Sequence, residues 1–136
     1  MLKDIKHEFV ADRNGIVEDR LRKAGFPHKI IFGLQLPQLS EMAARQTPSL
    51  ELANALWSDN EVRESRLLAC YLFPRDEVSE EMALDLANSV RTNEEADILT
   101  FRLLRHLPFA EELRNKLASL YPGGYIVKAM DRFIEK

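Results

Sequence analysis

Residues 60–68 read NEVRESRLL, and residues 93–101 read NEEADILTF. Each stretch starts with asparagine, places acidic side chains in the following turn, and continues with apolar residues at helical spacing. The tripeptide Leu-Ala-Asn also occurs twice, at 52–54 and at 86–88. These matches give a period of 33–34 residues with two helices in each period. Such a period predicts an all-α fold, an α-α superhelix of stacked helical repeats.

Helix breakers and capping residues divide the rest of the chain into short helices. The expected helices cover residues 2–24 with a break at Asn14-Gly15, 37–46, 48–57, 61–73, 80–90, 94–107, 109–121 and 125–135. The caps expected for the four middle helices are Thr47, Asn60, Ser79 and Asn93. Residues 26–35 are expected to form an irregular or loosely helical connector. Pro37 and Pro48 are placed at first helical positions, where a missing N–H costs nothing.

The composition is that of an ordinary globular protein, with 46% hydrophobic and 30% charged residues in 136. The length predicts a single domain over residues 1–136. The apolar runs are too short to span a membrane, and charges are scattered through the first ten residues, unlike a signal peptide. With Cys70 as the only cysteine, no internal disulfide can form, so the expected compartment is the cytoplasm.

Charge is unevenly distributed along the chain. Residues 59–98 carry four basic and eleven acidic side chains, a net of −7, whereas residues 99–136 carry seven basic and four acidic ones, a net of +3. The total of −3 argues against coating nucleic acid through bulk charge. Any face that contacts phosphates must therefore be local.

Residues 31–73, which read IFGLQLPQLSEMAARQTPSLELANALWSDNEVRESRLLACYLF, resemble the DNA alkylation repair family. The family pattern joins an aromatic-Gly-aliphatic triplet, a Pro-x-Leu step, a Leu-Trp pair before a short turn, and Glu-x-Arg-x-x-Ala in the next helix. The matching positions are Phe32-Gly33-Leu34, Pro37, Leu39, Ala43, Leu56-Trp57, Glu64, Arg66 and Ala69. The likeness continues faintly to residue 121. It implies a superhelix of HEAT/ARM-like repeats.

The resemblance also implies a cofactor-free DNA glycosylase that removes positively charged alkylated purines. The family signature is an aromatic residue, usually tryptophan, followed four residues later by aspartate at a helix start. Asp97 matches the aspartate, but Asn93 stands where the aromatic residue belongs. Trp57 is the only tryptophan, so the family's second functional tryptophan has no counterpart. The resemblance thus implies the fold together with a reduced or lost activity.

Asp97 is the candidate catalytic residue. A fixed carboxylate stabilises an oxocarbenium-like sugar and positions water, and aromatic faces hold the cationic base. The alternative is structural: with Asn93 as cap, Glu94, Glu95 and Asp97 lie in the first helical turn. Negative charge there offsets the helix dipole by about 0.3–1 kcal/mol per residue. Trp57, at a helix end, is expected to be buried between repeats and not to stack on a base.

Four arginines are the candidate DNA-binding residues. Arg63 and Arg66 are three apart on one predicted helix, and Arg102 and Arg105 repeat that spacing on another. Equivalent helices lie side by side in a stacked array, so the four guanidiniums are expected to form a stripe suited to phosphates. The alternative is ion pairing with Glu61 and Glu64 on a solvated helix surface.

The remaining patterns give no metal or cofactor site. The histidines and Cys70 lack metal-ligand spacing, and no glycine-rich phosphate loop is present. Three functional hypotheses stay open: a DNA- or protein-binding scaffold with reduced glycosylase activity, an active glycosylase, and a protein-interaction repeat without DNA affinity. The second would use Asp97, with Tyr121, Tyr125 or Phe101 replacing the missing tryptophans.

Overall fold

The computed structural model describes residues 2–134 of the chain. Within that range the regular structure is helical, without strands, which confirms the all-α fold class. The α-helices are α1 (Leu2–Asp12), α2 (Gly15–Lys23), α3 (Leu36–Ala44), α4 (Leu50–Ser58), α5 (Arg63–Leu72), α6 (Glu80–Asn88), α7 (Asn93–Arg102), α8 (Ala110–Leu120) and α9 (Tyr125–Phe133). Short 3₁₀ turns lie at Arg75–Glu77 and Leu104–His106. Among the described residues no helix has the length and apolar character that crossing a bilayer requires.

The chain forms two compact units, Met1–Phe73 and Pro74–Lys136, and the single domain expected over residues 1–136 stays a prediction. In the first unit α5 packs against α4 and α3, and α4 also contacts α1. Fully buried leucines such as Leu56 and Leu68 fill this core. In the second unit α7 packs against α9, and α8 contacts both α6 and α9. Leu99 of α7 and Leu113 of α8 are completely buried there.

The connector before α3 is irregular, as expected, and its backbone is tied to two helix starts. Ile30 forms an isolated parallel bridge with Val62: its N–H donates to the Glu61 carbonyl at 2.8 Å, and its carbonyl accepts from the Arg63 N–H at 3.1 Å. The Phe32 carbonyl accepts a hydrogen bond from the Asn14 N–H at 2.7 Å. The connector is therefore held on both sides without forming a sheet.

Gly33 makes this arrangement possible. Its φ is +83°, and a Cβ at this position would lie 2.2 Å from the Asn14 carbonyl oxygen. Only glycine combines the left-handed backbone with such close approach to another backbone segment. The break predicted at Asn14-Gly15 is confirmed, since the Asn14 side chain accepts from the Ile16 and Val17 N–H groups at the start of α2.

Three of the predicted helix starts are wrong by one or two residues. Ser49 caps α4 in place of Thr47, because its hydroxyl accepts from the Leu52 N–H at 3.1 Å. The residue before α5 is Val62 and not Asn60, because the Ile30 carbonyl accepts a hydrogen bond from the Arg63 N–H, the first of the helix. Thr92 caps α7 in place of Asn93. The cap predicted at Ser79 is confirmed.

Helix lengths also differ from the prediction in places. Pro37 occupies the second position of α3 instead of the first, because the helix begins at Leu36. The helix expected at 94–107 ends at Arg102, and residues 104–106 form a separate 3₁₀ turn. The last helix is described to Phe133, so the predicted end at 135 lies outside the described residues.

The helix boundaries give a different interval from the sequence alignment. α4 and α6 start at residues 50 and 80, and α5 and α7 start at 63 and 93, so both intervals are 30 residues and not 33–34. α8 starts another 30 residues after α6, at residue 110. Counted from the helix starts, Glu64 corresponds to Glu94, and the equivalence of Glu64 and Asp97 stays a prediction.

Candidate phosphate-binding site

Arg63 lies in the core of the first unit. Its side chain is 4% exposed, and Nη1 donates to the Leu34 carbonyl at 2.8 Å and to Glu64 Oε2 at 2.7 Å. The expected ion pairing of an arginine with Glu64 is therefore present, although the pair is buried and not solvated. A phosphate cannot reach a guanidinium held in this way, and we leave Arg63 out of the candidate site.

Glu64 is the acceptor that organises this core. Its carboxylate accepts from the N–H groups of Phe32, Gly33 and Leu34 at 3.0–3.3 Å, in addition to Arg63. A buried carboxylate is tolerated when its lone pairs are filled by hydrogen bonds and its charge is balanced by a partner. Glu64 is completely buried, so its role is to hold the connector against α5.

Arg66 is also buried, and it stacks on Trp57. The guanidinium carbon lies 4.0 Å from the centroid of the indole ring, within the range of a cation–π contact. Both residues are buried, at 3% and 6% exposure. The predicted burial of Trp57 is confirmed. Arg63 and Arg66 are therefore both buried, and neither guanidinium is available to a phosphate in the predicted stripe.

Asp97 occupies the fifth position of α7, because Thr92 and not Asn93 is the cap. Its carboxylate pairs with Arg132 of α9, and both side chains are partly exposed. The first turn of α7 contains Glu94 and Glu95. Glu95 is completely buried and accepts from the Arg91 N–H at 3.1 Å, while its own N–H donates to the Thr92 hydroxyl. Glu95 thus belongs to the start of the helix, and Asp97 to a contact between helices.

The aromatic residues considered as substitutes for tryptophan lie in two different places. Tyr121 and Tyr125 line a cavity of about 180 Å³ together with Asn88, and the lining of that cavity does not include Asp97. Phe101 lies one turn further along α7 and packs against Phe133, with ring centroids 5.5 Å apart. The described residues also contain no group of histidine, cysteine or acidic side chains that could hold a metal ion.

Arg102 and Arg105 lie where α7 ends. Arg105 Nε donates to the Phe101 carbonyl at 2.8 Å, and its guanidinium carbon lies 3.9 Å from the Phe101 ring centroid. The Arg102 guanidinium carbon lies 5.6 Å from the same ring. Cations at this end of a helix are favoured by the partial negative charge of the last carbonyls. Arg105 is consequently held in one orientation by a ring face and a carbonyl.

Arg75 joins this group from the 3₁₀ turn before α6. Its Nη2 donates to the Arg102 carbonyl at 3.5 Å. Sequence reasoning missed Arg75, because it lies 30 residues before Arg105 and shares no motif with it.

His106 completes what we call the cationic cluster, namely Arg75, Arg102, Arg105 and His106. Partial loss of hydration lowers the pKa of the His106 imidazole, the nearby charges of Arg75 and Arg105 lower it further, and the Phe101 carbonyl opposes them. Within the described part of the chain, no carboxylate is among the groups that act on this ring. The cluster is therefore a local excess of positive charge.

Three other basic residues of the second unit differ from Arg75 and Arg105, because each is paired with a carboxylate. Arg114 pairs with Asp131 at 2.8 Å, Lys116 pairs with Glu80, and Arg132 pairs with Asp97. Arg75 and Arg105 instead donate to backbone carbonyls, and within residues 2–134 neither forms an ion pair with a carboxylate. Their positive charge is oriented but not neutralised, which is what an anion-binding site requires.

Comparisons of the chain with protein-family models, with curated proteins and with solved structures found no match.

Proposed function

We propose that this chain is a helical-repeat scaffold that binds DNA through backbone phosphates at the cationic cluster, with reduced or lost glycosylase activity. The observation that carries the proposal is the pair Arg75 and Arg105. Both are oriented by carbonyls at the end of α7 and lack a carboxylate partner within the described residues. The resemblance of residues 31–73 to DNA alkylation repair proteins supports DNA as the first partner to test.

The distribution of charge supports the same surface. Residues 99–136, which contain most of the cluster, carry a net charge of +3. Arginine donates through a planar fork that matches phosphate oxygens, and a guanidinium held in advance loses less side-chain entropy on binding. The Phe101 ring beneath Arg105 supplies this restraint.

The proposal assigns no catalytic role to Asp97. A carboxylate that stabilises a cationic transition state must face the substrate with its charge available. Asp97 is paired with Arg132, so its charge is already balanced. Tyr121 and Tyr125 line the 180 Å³ cavity, and Asp97 is not part of its lining.

The test is fluorescence anisotropy of a labelled duplex at several salt concentrations. We expect the affinity to fall as salt rises. The double variant Arg75→Ala/Arg105→Ala should reduce the salt slope by about one for each phosphate that the variant no longer neutralises. Arg20→Ala is the control, because it also removes an arginine charge, and Arg20 is exposed in the first unit, away from the cluster sequence. Equal binding by the control and the cluster variants would refute the cluster as the DNA site.

A protein partner is the second candidate. Leu120, Tyr121 and Tyr125 are 42–56% exposed and lie at or beside the 180 Å³ cavity. Exposed aromatic and aliphatic side chains of this kind are typical of protein interfaces. A Tyr121→Ser/Tyr125→Ser variant that no longer binds a partner while keeping DNA affinity would favour this function over DNA binding.

A further inference from the structure

The two arginines with unneutralised charge both donate to carbonyls at the end of α7. The carbonyls that orient them belong to Phe101 and Arg102, consecutive residues at the end of α7. Carbonyls at the end of a helix point in the same direction along its axis. The charges of Arg105 and Arg75 also both act on the His106 ring, so the two guanidiniums lie around the same end of α7.

His106 belongs to the Leu104–His106 turn, which follows the end of α7. Its ring feels the charges of both Arg75 and Arg105 and also the Phe101 carbonyl. The three groups come from the Arg75–Glu77 turn, the Leu104–His106 turn and the end of α7. α8 and α9 also pack against the Leu104–His106 turn, and in the described range none of their charged side chains is among the groups that act on the His106 ring.

The compact shape of the cluster indicates the class of ligand. Phosphates within a DNA strand carry one negative charge each and are spread along the backbone. A terminal phosphate monoester carries about −1.5 to −2 at pH 7 and three acceptor oxygens on one phosphorus atom. Two guanidiniums and one imidazole around the end of one helix match the second arrangement better than the first.

Resting on the proposed DNA binding, we propose that Arg75, Arg105 and His106 bind the terminal phosphate monoester of a DNA strand, and that His106 takes up a proton from solvent as the phosphate binds. A dianion placed between the three groups favours the imidazolium, because an adjacent opposite charge stabilises the charged form of a titrating group. The proton is bound at the imidazole, and no covalent bond is made or broken.

The free protein is poised for this uptake. In the absence of an anion the two arginines disfavour the imidazolium and lower the pKa of His106. The bound phosphate offsets their charge, so the same ring becomes easier to protonate.

The first experiment compares two duplexes of identical sequence, one with a 5′-phosphate and one with a 5′-hydroxyl. We expect the phosphorylated duplex to bind about tenfold more tightly, which corresponds to one charge-assisted contact. Inorganic phosphate is the competitor. Displacement of the duplex by inorganic phosphate at a concentration equal to that of the DNA ends would identify free phosphate as the ligand. The assignment to a strand end would then be overturned.

The second experiment is calorimetry at pH 7 in two buffers of different ionisation enthalpy, which counts the protons taken up on binding. Wild type is expected to take up a proton, and His106→Gln is expected to lose that uptake while keeping its circular dichroism spectrum. His7→Gln is the control, since His7 is exposed in the first unit. An NMR titration should also show that the pKa of His106 rises by about one unit or more when the phosphorylated duplex is bound.

The outcomes separate this inference from the proposed function. Equal affinity for the two duplexes, combined with weaker binding by Arg105→Ala, would overturn the terminal phosphate and leave DNA binding intact. A preference for the phosphorylated duplex without proton uptake would overturn the role of His106. Failure to bind either duplex at low salt would overturn the proposed function itself.

Discussion

Asp97 of α7 is paired with Arg132 of α9, 35 residues further along the chain. The residue that best matches a catalytic aspartate is therefore a link between the two most extensively packed helices of the second unit. An ion pair of this kind accounts for an acidic side chain at position 97 without a catalytic role.

We expect neither wild type nor Asp97→Asn to release methylated purines from alkylated duplex DNA. The reason is that the Asp97 charge is balanced by Arg132 and that Tyr121 and Tyr125 line a cavity to which Asp97 does not belong. The measurement is base release with a known glycosylase as the positive control. Release by wild type alone would restore the glycosylase hypothesis.

The same ion pair gives a stability prediction. Because both side chains are partly exposed, at 36% and 51%, Asp97→Asn and Arg132→Gln should each cost no more than about 1 kcal/mol. A double-mutant cycle by urea unfolding measures the coupling. A coupling near zero would mean that the pair does not contribute to the packing of α7 on α9.

Glu64→Gln should be far more destabilising, by about 3–5 kcal/mol. It removes the carboxylate charge that pairs with the buried Arg63 guanidinium and weakens the acceptor of three connector N–H groups. Glu61→Gln is the matched control, since Glu61 is exposed three residues earlier. Equal midpoints of urea unfolding for the two variants would contradict the structural role assigned to Glu64.

Gly33→Ala should destabilise the first unit by more than about 2 kcal/mol. The residue has a φ of +83°, and the new methyl group would lie 2.2 Å from the Asn14 carbonyl oxygen. Gly15→Ala is the control, because a Cβ there meets nothing within 4 Å and Gly15 is helical. We expect Gly15→Ala to be neutral or stabilising by roughly 0.5 kcal/mol. Thermal unfolding followed by circular dichroism distinguishes the two variants.

His106 should make folding depend on pH in a buffer free of phosphate and sulfate. Its folded-state pKa is lowered below the ordinary value of 6.5. The unfolded chain therefore binds more protons, and the contribution of His106 to stability is present above pH 6.5 and lost as the pH falls through the folded-state pKa. Wild type should lose stability relative to His106→Gln over this range. Parallel pH profiles for the two proteins would contradict the prediction.

The sequence predicted the helical class and most helix positions because caps, prolines and apolar spacing are local signals. Ser79 illustrates this, since its own hydroxyl caps the helix that follows. Val62 illustrates the opposite case. The N–H of the next residue, Arg63, donates to the Ile30 carbonyl, which lies more than thirty residues earlier in the chain. No local sequence pattern predicts such a distant partner. The error in the start of α5 follows from this distant hydrogen bond.

The candidate site was predicted only in part, for a related reason. Arg102 and Arg105 were identified from their spacing, but the same spacing also selected Arg63 and Arg66, which are buried. Helical periodicity shows which residues share a face, and it does not say whether that face meets water or a neighbouring helix. Arg75 was missed because its hydrogen bond to the Arg102 carbonyl spans 27 residues of chain.

The stacking of Trp57 on Arg66 has a practical consequence for following the unfolding reaction. Trp57 is the only tryptophan, and it belongs to the first compact unit, whereas His106 belongs to the second. Indole emission and the NMR signal of the His106 ring are thus independent optical and magnetic reporters of the two units. Coincident denaturation curves from these reporters would mean that the units melt cooperatively, and separated curves would mean that each has its own transition.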